Sequence, residues 1–525
     1  MRADSHIAPF FAENIPPVPG LNHLGLRNAA EDLFTTLLPG LNGVTLRVRY
    51  YSFYCWLTGE FLKRTPLDDR TPEEYRLFVR KGEILLAMIQ ATRDPSVVGI
   101  PGIEFALQTL ELSFNSFDLM KCVNNPNAKR STEKTYWANP GGVLRQYYNA
   151  SMKDIGLLMS LVRFPSVSAP SRKADLFPEG TILGEDLGKA FEESVGAESA
   201  ELFLSCVEKS RVSRDQLLAM KDVFVMKGFG EIGRERDLLI ATFNQRDFPS
   251  SEMDDRHLRK GTIAHFLRYC HKGRTAGKKD AIAFPAHIYN AVLEGTLTDD
   301  CALGWYAYHI NDQWQYDSSI ILSCVLDILK NDGGWISVDS LSGDLSEAMV
   351  SLASPSAPGV SLRDICENLE NNGLPSVEGR SIEAKALRAM YDMLLLYCEN
   401  RTHRDTIEAY RASFRDLQKP GKPEFFRFME ELDSLLEVPF KDFLSDFIRK
   451  KIIFQHHTVS LIKYCQTGIS SDKFLYEDGF LRFIGQIEYT HTSPRIASMI
   501  EYLTDLGLLK DMIPTEDALL RYGLN

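Results

Sequence analysis

Apolar positions recur at helical spacing along most of the chain, and the pattern is clearest between His491 and Gly523. There Ile496, Met499, Ile500, Leu503 and Leu506 fall on one helical face. Ser493 and Pro494 supply a start signal and Gly507 a stop. Leu508 and Leu509 run into a turn, and Thr515, Glu516 and Asp517 open a second helix that closes at Gly523. Helix, Gly-Leu-Leu exit, turn and capped helix form the skeleton of a small winged-helix-like module. The same order occurs earlier. Leu144, Tyr147, Tyr148, Met152 and Ile155 keep helical spacing, Gly156 precedes Leu157-Leu158, a Pro-bearing loop spans 163–180, and Leu183, Leu187, Ala190 and Phe191 close the unit.

Further helical patterns cover 28–38, 44–63, 73–92, 103–113, 200–245, 301–330, 381–398, 425–436 and 440–466. The 44–63 stretch holds Tyr50, Tyr51, Phe53, Tyr54 and Trp56, and a helix that is apolar on nearly every side packs between others. Its functional alternative sets Arg47 and Arg49 beside aromatic rings for base stacking. Lys473–Phe483 reads as a β-hairpin turning at Asp478-Gly479. Ser, Pro and Gly make 340–380 read as a mobile linker. The expected fold class is mainly α, multi-helical, with two winged-helix-like modules near 140–192 and 470–523 and short β-hairpins. The expected division is an N-terminal helical domain over 1–130, a winged-helix-like module over 131–200 and a helical segment with a basic stretch over 201–300. A helical domain containing the linker follows over 301–400, and a C-terminal helical domain over 401–525.

Composition narrows the function classes. Across 525 residues, 44% hydrophobic and 25% charged content is that of an ordinary globular chain. No apolar run reaches the roughly 18 residues of a membrane span, and the N-terminal stretch lacks the apolar core of a secretory signal. Nine cysteines without a CxxC pair fit reduced thiols, which suggests a cytoplasmic protein. A net charge of −12 argues against coating nucleic acid over the whole surface. One window opposes that balance. Arg256, Arg259, Lys260, Arg268, Lys272, Arg274, Lys278 and Lys279 stand in 256–279 with no acid among them, so these eight are the candidate nucleic-acid-binding residues.

Motifs for chemistry are incomplete. Gly228-x-Gly230-x-x-Gly233 has dinucleotide-fingerprint spacing, with VFVM before it as a potential strand, yet its neighbours alternate helix with helix. Gly273–Lys279 resembles a phosphate loop, but it is one residue short and has Lys279 where Ser or Thr would bind magnesium. His257, His265, Cys270 and His271 match no common zinc spacing, and His456 and His457 point to different faces of one helix. Glu383-x-Lys385 has nuclease letters but lies in a helical pattern. No catalytic, cofactor-binding or metal-ligating residue is assigned.

Pro39-Gly40-x4-Thr45-x-Arg47-x-Arg49-Tyr50-Tyr51-x-Phe53-x2-Trp56 resembles a pattern of uncharacterised bacterial proteins encoded in phage-defence neighbourhoods, and the segments around Leu157 and Leu508 are similar to parts of them. The resemblance implies a bacterial multi-gene system and assigns no catalytic residue. The expected function is a non-enzymatic scaffold or nucleic-acid-sensing subunit of such a system. Its partners would be other protein subunits, and DNA or RNA through the basic segment, with no membrane. The alternatives are a metal-dependent nuclease with dispersed carboxylates and a winged-helix transcription regulator.

Overall fold

The computed structural model describes residues 22–66, 69–112, 115–123, 136, 137, 139, 141–158, 184–228, 233–244, 258–273, 283–353, 359–418 and 423–524. The protein is mainly helical, with a few short antiparallel strand pairs. The helices form two compact units, each built from segments far apart in sequence. One comprises 1–34 and 285–492, the other 35–284 and 493–525. Hydrophobic periodicity locates helices, whereas long-range packing decides which of them share a core.

The 35–284/493–525 unit is assembled around the helix Arg49–Arg64, in which every residue from Arg49 to Leu57 is buried. Aromatic residues on all its sides leave no face for water, and Trp56, Phe191, Phe203 and Phe224 interlock with centroid separations of 4.8–6.2 Å. The helix Gly184–Val195 comes close because Gly188 faces backbone: a Cβ there would lie 2.9 Å from the Trp56 nitrogen. The helix Pro72–Arg93 starts where the Thr71 hydroxyl accepts from Glu74 N and Pro72 fixes the first turn.

The two Gly-Leu-Leu exits have the same hydrogen-bonded geometry. After the helix Asn149–Asp154, Gly156 (φ 72°) donates to Lys153 O and Leu157 to Met152 O, at 3.0 and 2.8 Å. After the helix Ile496–Asp505, Gly507 (φ 63°) donates to Thr504 O and Leu508 to Leu503 O, again at 3.0 and 2.8 Å. Each is a Schellman stop, and each turns two leucines into the core. The π-helical turn Leu144–Tyr148 before the first and the second helix itself also grip one loop: the Asn42 amide donates to Tyr147 O, and Ser498 Oγ donates to Asn42 O. The Tyr51 hydroxyl lies between those of Ser151 and Tyr502.

Two local expectations change. The helix Ile496–Asp505 is preceded by Arg495 in the left-handed region (φ 62°), not capped by Ser493. The 470–523 stretch is shared between units: its hairpin lies in one, while the helix, the ribbon Leu509–Lys510/Ile513–Pro514 and the helix Glu516–Tyr522 lie in the other. The earlier module's 163–180 loop and its flanks, 159–183, lie outside the described residues.

In the 1–34/285–492 unit, Asp299 caps the long helix Asp300–Asp332 by accepting from Ala302 N, and Gly333 ends it. That helix packs along Ile382–Arg401. The expected linker 340–380 instead holds the helices Val338–Leu352 and Leu362–Asn372. Several described serines in and beside it serve the helices. Ser337 and Ser361 are N-caps, Ser361 in a reciprocal capping box with Asp364, and Ser342 bonds back to Val338 O. Leu341, Leu345, Met349, Ile365 and Leu369 supply the buried faces. The hairpin Phe474–Glu477/Phe480–Phe483 turns at Asp478 (φ 48°) and Gly479 (φ 83°), as the Asp-Gly pair requires, and Ile336–Ser337 adds a third strand. Among the described residues no helix is long and apolar enough to cross a membrane.

Candidate nucleic-acid interface

The described part of the basic segment is the helix Leu258–His271 with Lys272 and Gly273 behind it. Leu258, Thr262, Ile263, Phe266, Leu267 and Cys270 face inward, and Phe266 meets the Phe284 ring edge-on at 5.4 Å. With that face committed to the core, Lys260 and Lys272 are exposed and Arg268 is half-buried. Lys260, Arg268 and Lys272 are spaced by multiples of four residues, so the cations follow a band that winds by about 120° over about 18 Å at 1.5 Å per residue. Lys272 continues the helical pattern, its backbone N–H donating to Arg268 O at 3.1 Å.

No carboxylate among the described residues lies within ion-pair distance of these three side chains. Some cations elsewhere are neutralised, while others, such as Lys153, Lys330 and Lys510, likewise have no described carboxylate at ion-pair distance. Arg64 meets Glu60, Glu201 and Glu208, Arg234 meets Glu193 and Asp186, and Arg449 meets Asp446 and Asp339. Among the described residues, a side-chain hydrogen bond joins the row to His265, whose Nδ1 is 3.3 Å from Arg268 Nη1.

Arg259 belongs to the same run of charge and does the opposite. It is 0% exposed: Nε donates to Phe243 O at 2.6 Å, Nη2 to Thr242 O at 2.7 Å, and Nη1 to Pro39 O. Burial lowers its pKa to about 10, which leaves it cationic at neutral pH. Its charge is committed to backbone carbonyls, so Arg259 is corrected from a phosphate contact to an internal strut. Arg256, Arg274, Lys278 and Lys279 lie outside the described residues.

The arginines proposed for base stacking are likewise internal. Arg47 donates to Glu501 and Asp505, both at 3.0 Å, and to Val98 O. Arg49 grips Glu235 with two nitrogens, at 3.0 and 2.9 Å, and donates to Val225 O. Both are 2% exposed, and such fork-shaped pairing is what guanidinium geometry favours in a buried site. The pattern from Pro39 to Trp56 is therefore a packing signature. Gly40, too, has no room for a side chain, since a Cβ would come 1.9 Å from Ile155.

The remaining motifs resolve into structure. Val223–Met226 forms no strand; Val223 O and Val225 O accept from Arg49, and Gly228 N donates to Asp505, while 229–232 lie outside the described residues. His456 is fully buried with both ring nitrogens engaged, by His23 O and by Lys473 N, and burial pushes its pKa down to about 4. His457 turns instead toward Asp472, 3.5 Å away. Glu383 and Lys385 sit in the helix Ile382–Arg401, where Lys385 reaches the Tyr489 ring. Glu83 accepts from Val143 N, Leu144 N and the Tyr54 hydroxyl, capping a distant helix start, and burial raises its pKa to about 7.

Comparison with protein-family models, curated proteins and solved structures finds no match.

Proposed function

We propose that this chain is a non-enzymatic, nucleic-acid-sensing subunit of a multiprotein bacterial system, engaging the phosphate backbone along the edge Lys260–Arg268–Lys272. The observation that carries the reading is a row of cations unneutralised by described carboxylates in a chain of net charge −12. Charges paired with carboxylates have little left to offer a polyanion, whereas free ones displace condensed counterions from nucleic acid. Spaced cations on a helix fit contact with backbone phosphates, which carries no sequence information directly. The defence context rests on the Pro39–Trp56 resemblance.

The test is fluorescence anisotropy of the purified chain with labelled duplex and single-stranded oligonucleotides of unrelated sequence. Binding without sequence preference, lost at least 100-fold in Lys260→Glu/Arg268→Glu/Lys272→Glu, is expected. Absence of binding, or equal binding by that variant, sinks the reading. Magnesium-dependent cleavage of the oligonucleotide would replace it with a nuclease.

A further inference from the structure

The 1–34/285–492 unit contains a cleft of ≈ 230 Å³ that nothing above uses. That is far more than the roughly 10–15 Å³ needed to house one water, so the space is ligand-sized. Leu26, Trp314, Phe428 and Phe447 give it an aromatic and aliphatic wall, on which Trp314 and Phe428 stack at 5.8 Å and 14°. Glu424 and Arg427 also line it, and both line a neighbouring polar hollow with Arg411 and Glu430.

Two buried polar atoms of opposite character in this wall lack a partner among the described residues, the Glu424 carboxyl group being otherwise bonded to the Tyr410 hydroxyl. The Trp314 indole N–H is a buried donor without an acceptor, and Glu424 Oε1 is a buried acceptor without a donor. The two residues are 5% and 9% exposed. Each unmet group costs on the order of 1–3 kcal/mol. Glu424 stands at the N-cap of the helix Phe425–Leu435, yet its side chain caps nothing, so its carboxyl group is not spent on the helix. Both residues line the cleft.

The chemistry limits what fits. A hydrocarbon satisfies the wall and leaves both polar groups unmet. A polyanion meets Glu424 and Glu431, and Lys451 is already paired with Glu431 at 2.5 Å. A flat ring with a donor and an acceptor on its edge satisfies all of it. We propose that this cleft binds a small planar nitrogen heterocycle of the nucleobase class, its ring against the aromatic wall and its polar edge pairing with Trp314 and Glu424.

Isothermal titration of the full chain with adenine, guanine, cytosine and uracil, and with indole as an apolar control, tests this. One base is expected to bind at 1:1, at least tenfold tighter than indole. Trp314→Phe keeps an aromatic ring at that position but removes the N–H, and Glu424→Gln keeps the shape. Each should weaken the base at least fivefold while the melting temperature stays near that of the parent. Lys260→Glu/Arg268→Glu/Lys272→Glu should bind the base unchanged, which separates this site from the phosphate-binding edge. Binding by no base, equal binding of indole, or unchanged affinity in both cleft variants overturns the proposal.

Discussion

The cationic edge and the aromatic cleft use charge in opposite ways. Along Leu258–Lys272 three cations project from a helix whose other face is core, with no described acid to answer them. Around the cleft the charges are paired or balanced, and unmet bonding capacity sits in buried atoms behind an apolar wall. An open row of charge suits long, repetitive phosphate ligands and loses strength with salt. A walled cleft suits one small molecule and is indifferent to salt. Charge count alone does not separate such regions; what matters is where each charge is already spent.

The sharpest way to break this contrast lies inside one helix, at adjacent residues. Arg259→Ala strips three carbonyls of their buried donor and should cost about 3–5 kcal/mol of stability, read by chemical denaturation. Lys260→Ala should change stability by less than about 0.5 kcal/mol and act only on binding. Equal effects at the two positions would erase the division between strut and contact. A comparable loss is expected for Arg49→Ala, which leaves Glu235 and Ser52 buried around a missing cation.

A smaller effect concerns acid. His456 titrates near 4 in the folded chain against about 6.5 unfolded, because burial disfavours its cation. The native state then binds fewer protons between those values, so this stabilisation is full above about pH 6.5 and lost as pH falls toward 4. His456→Gln should flatten that limb of a stability–pH profile by up to roughly 3 kcal/mol. An unchanged profile would show that the ring titrates normally. Smallest of all, the cleft substitutions Trp314→Phe and Glu424→Gln should leave oligonucleotide binding within a factor of two.

Local rules were legible wherever a residue acts on its own neighbourhood. Asp478-Gly479 marks its hairpin, Gly156 and Gly507 mark identical stops, and the aromatic run 50–56 marks a buried helix. Serine was ambiguous because one residue type serves both linkers and caps, and Ser337 and Ser361 proved to be caps. Arg495 was missed because nothing local favours a left-handed arginine before a helix. The basic run was visible as letters, but letters carry no direction. Arg259 and Lys260 are one residue apart and about 100° apart around the axis, so one goes to the core and the other to water. The cleft had no linear signal, since its wall comes from positions as distant as Leu26, Trp314 and Phe447.

The most direct measurement is the salt dependence of duplex binding for the parent chain and for Lys260→Ala/Arg268→Ala/Lys272→Ala. If three phosphate contacts are lost, the slope of log K against log salt should fall in magnitude by about 2.7, at roughly 0.9 per phosphate. Parallel lines for the two proteins would contradict the account, because they would mean that these cations release no counterions.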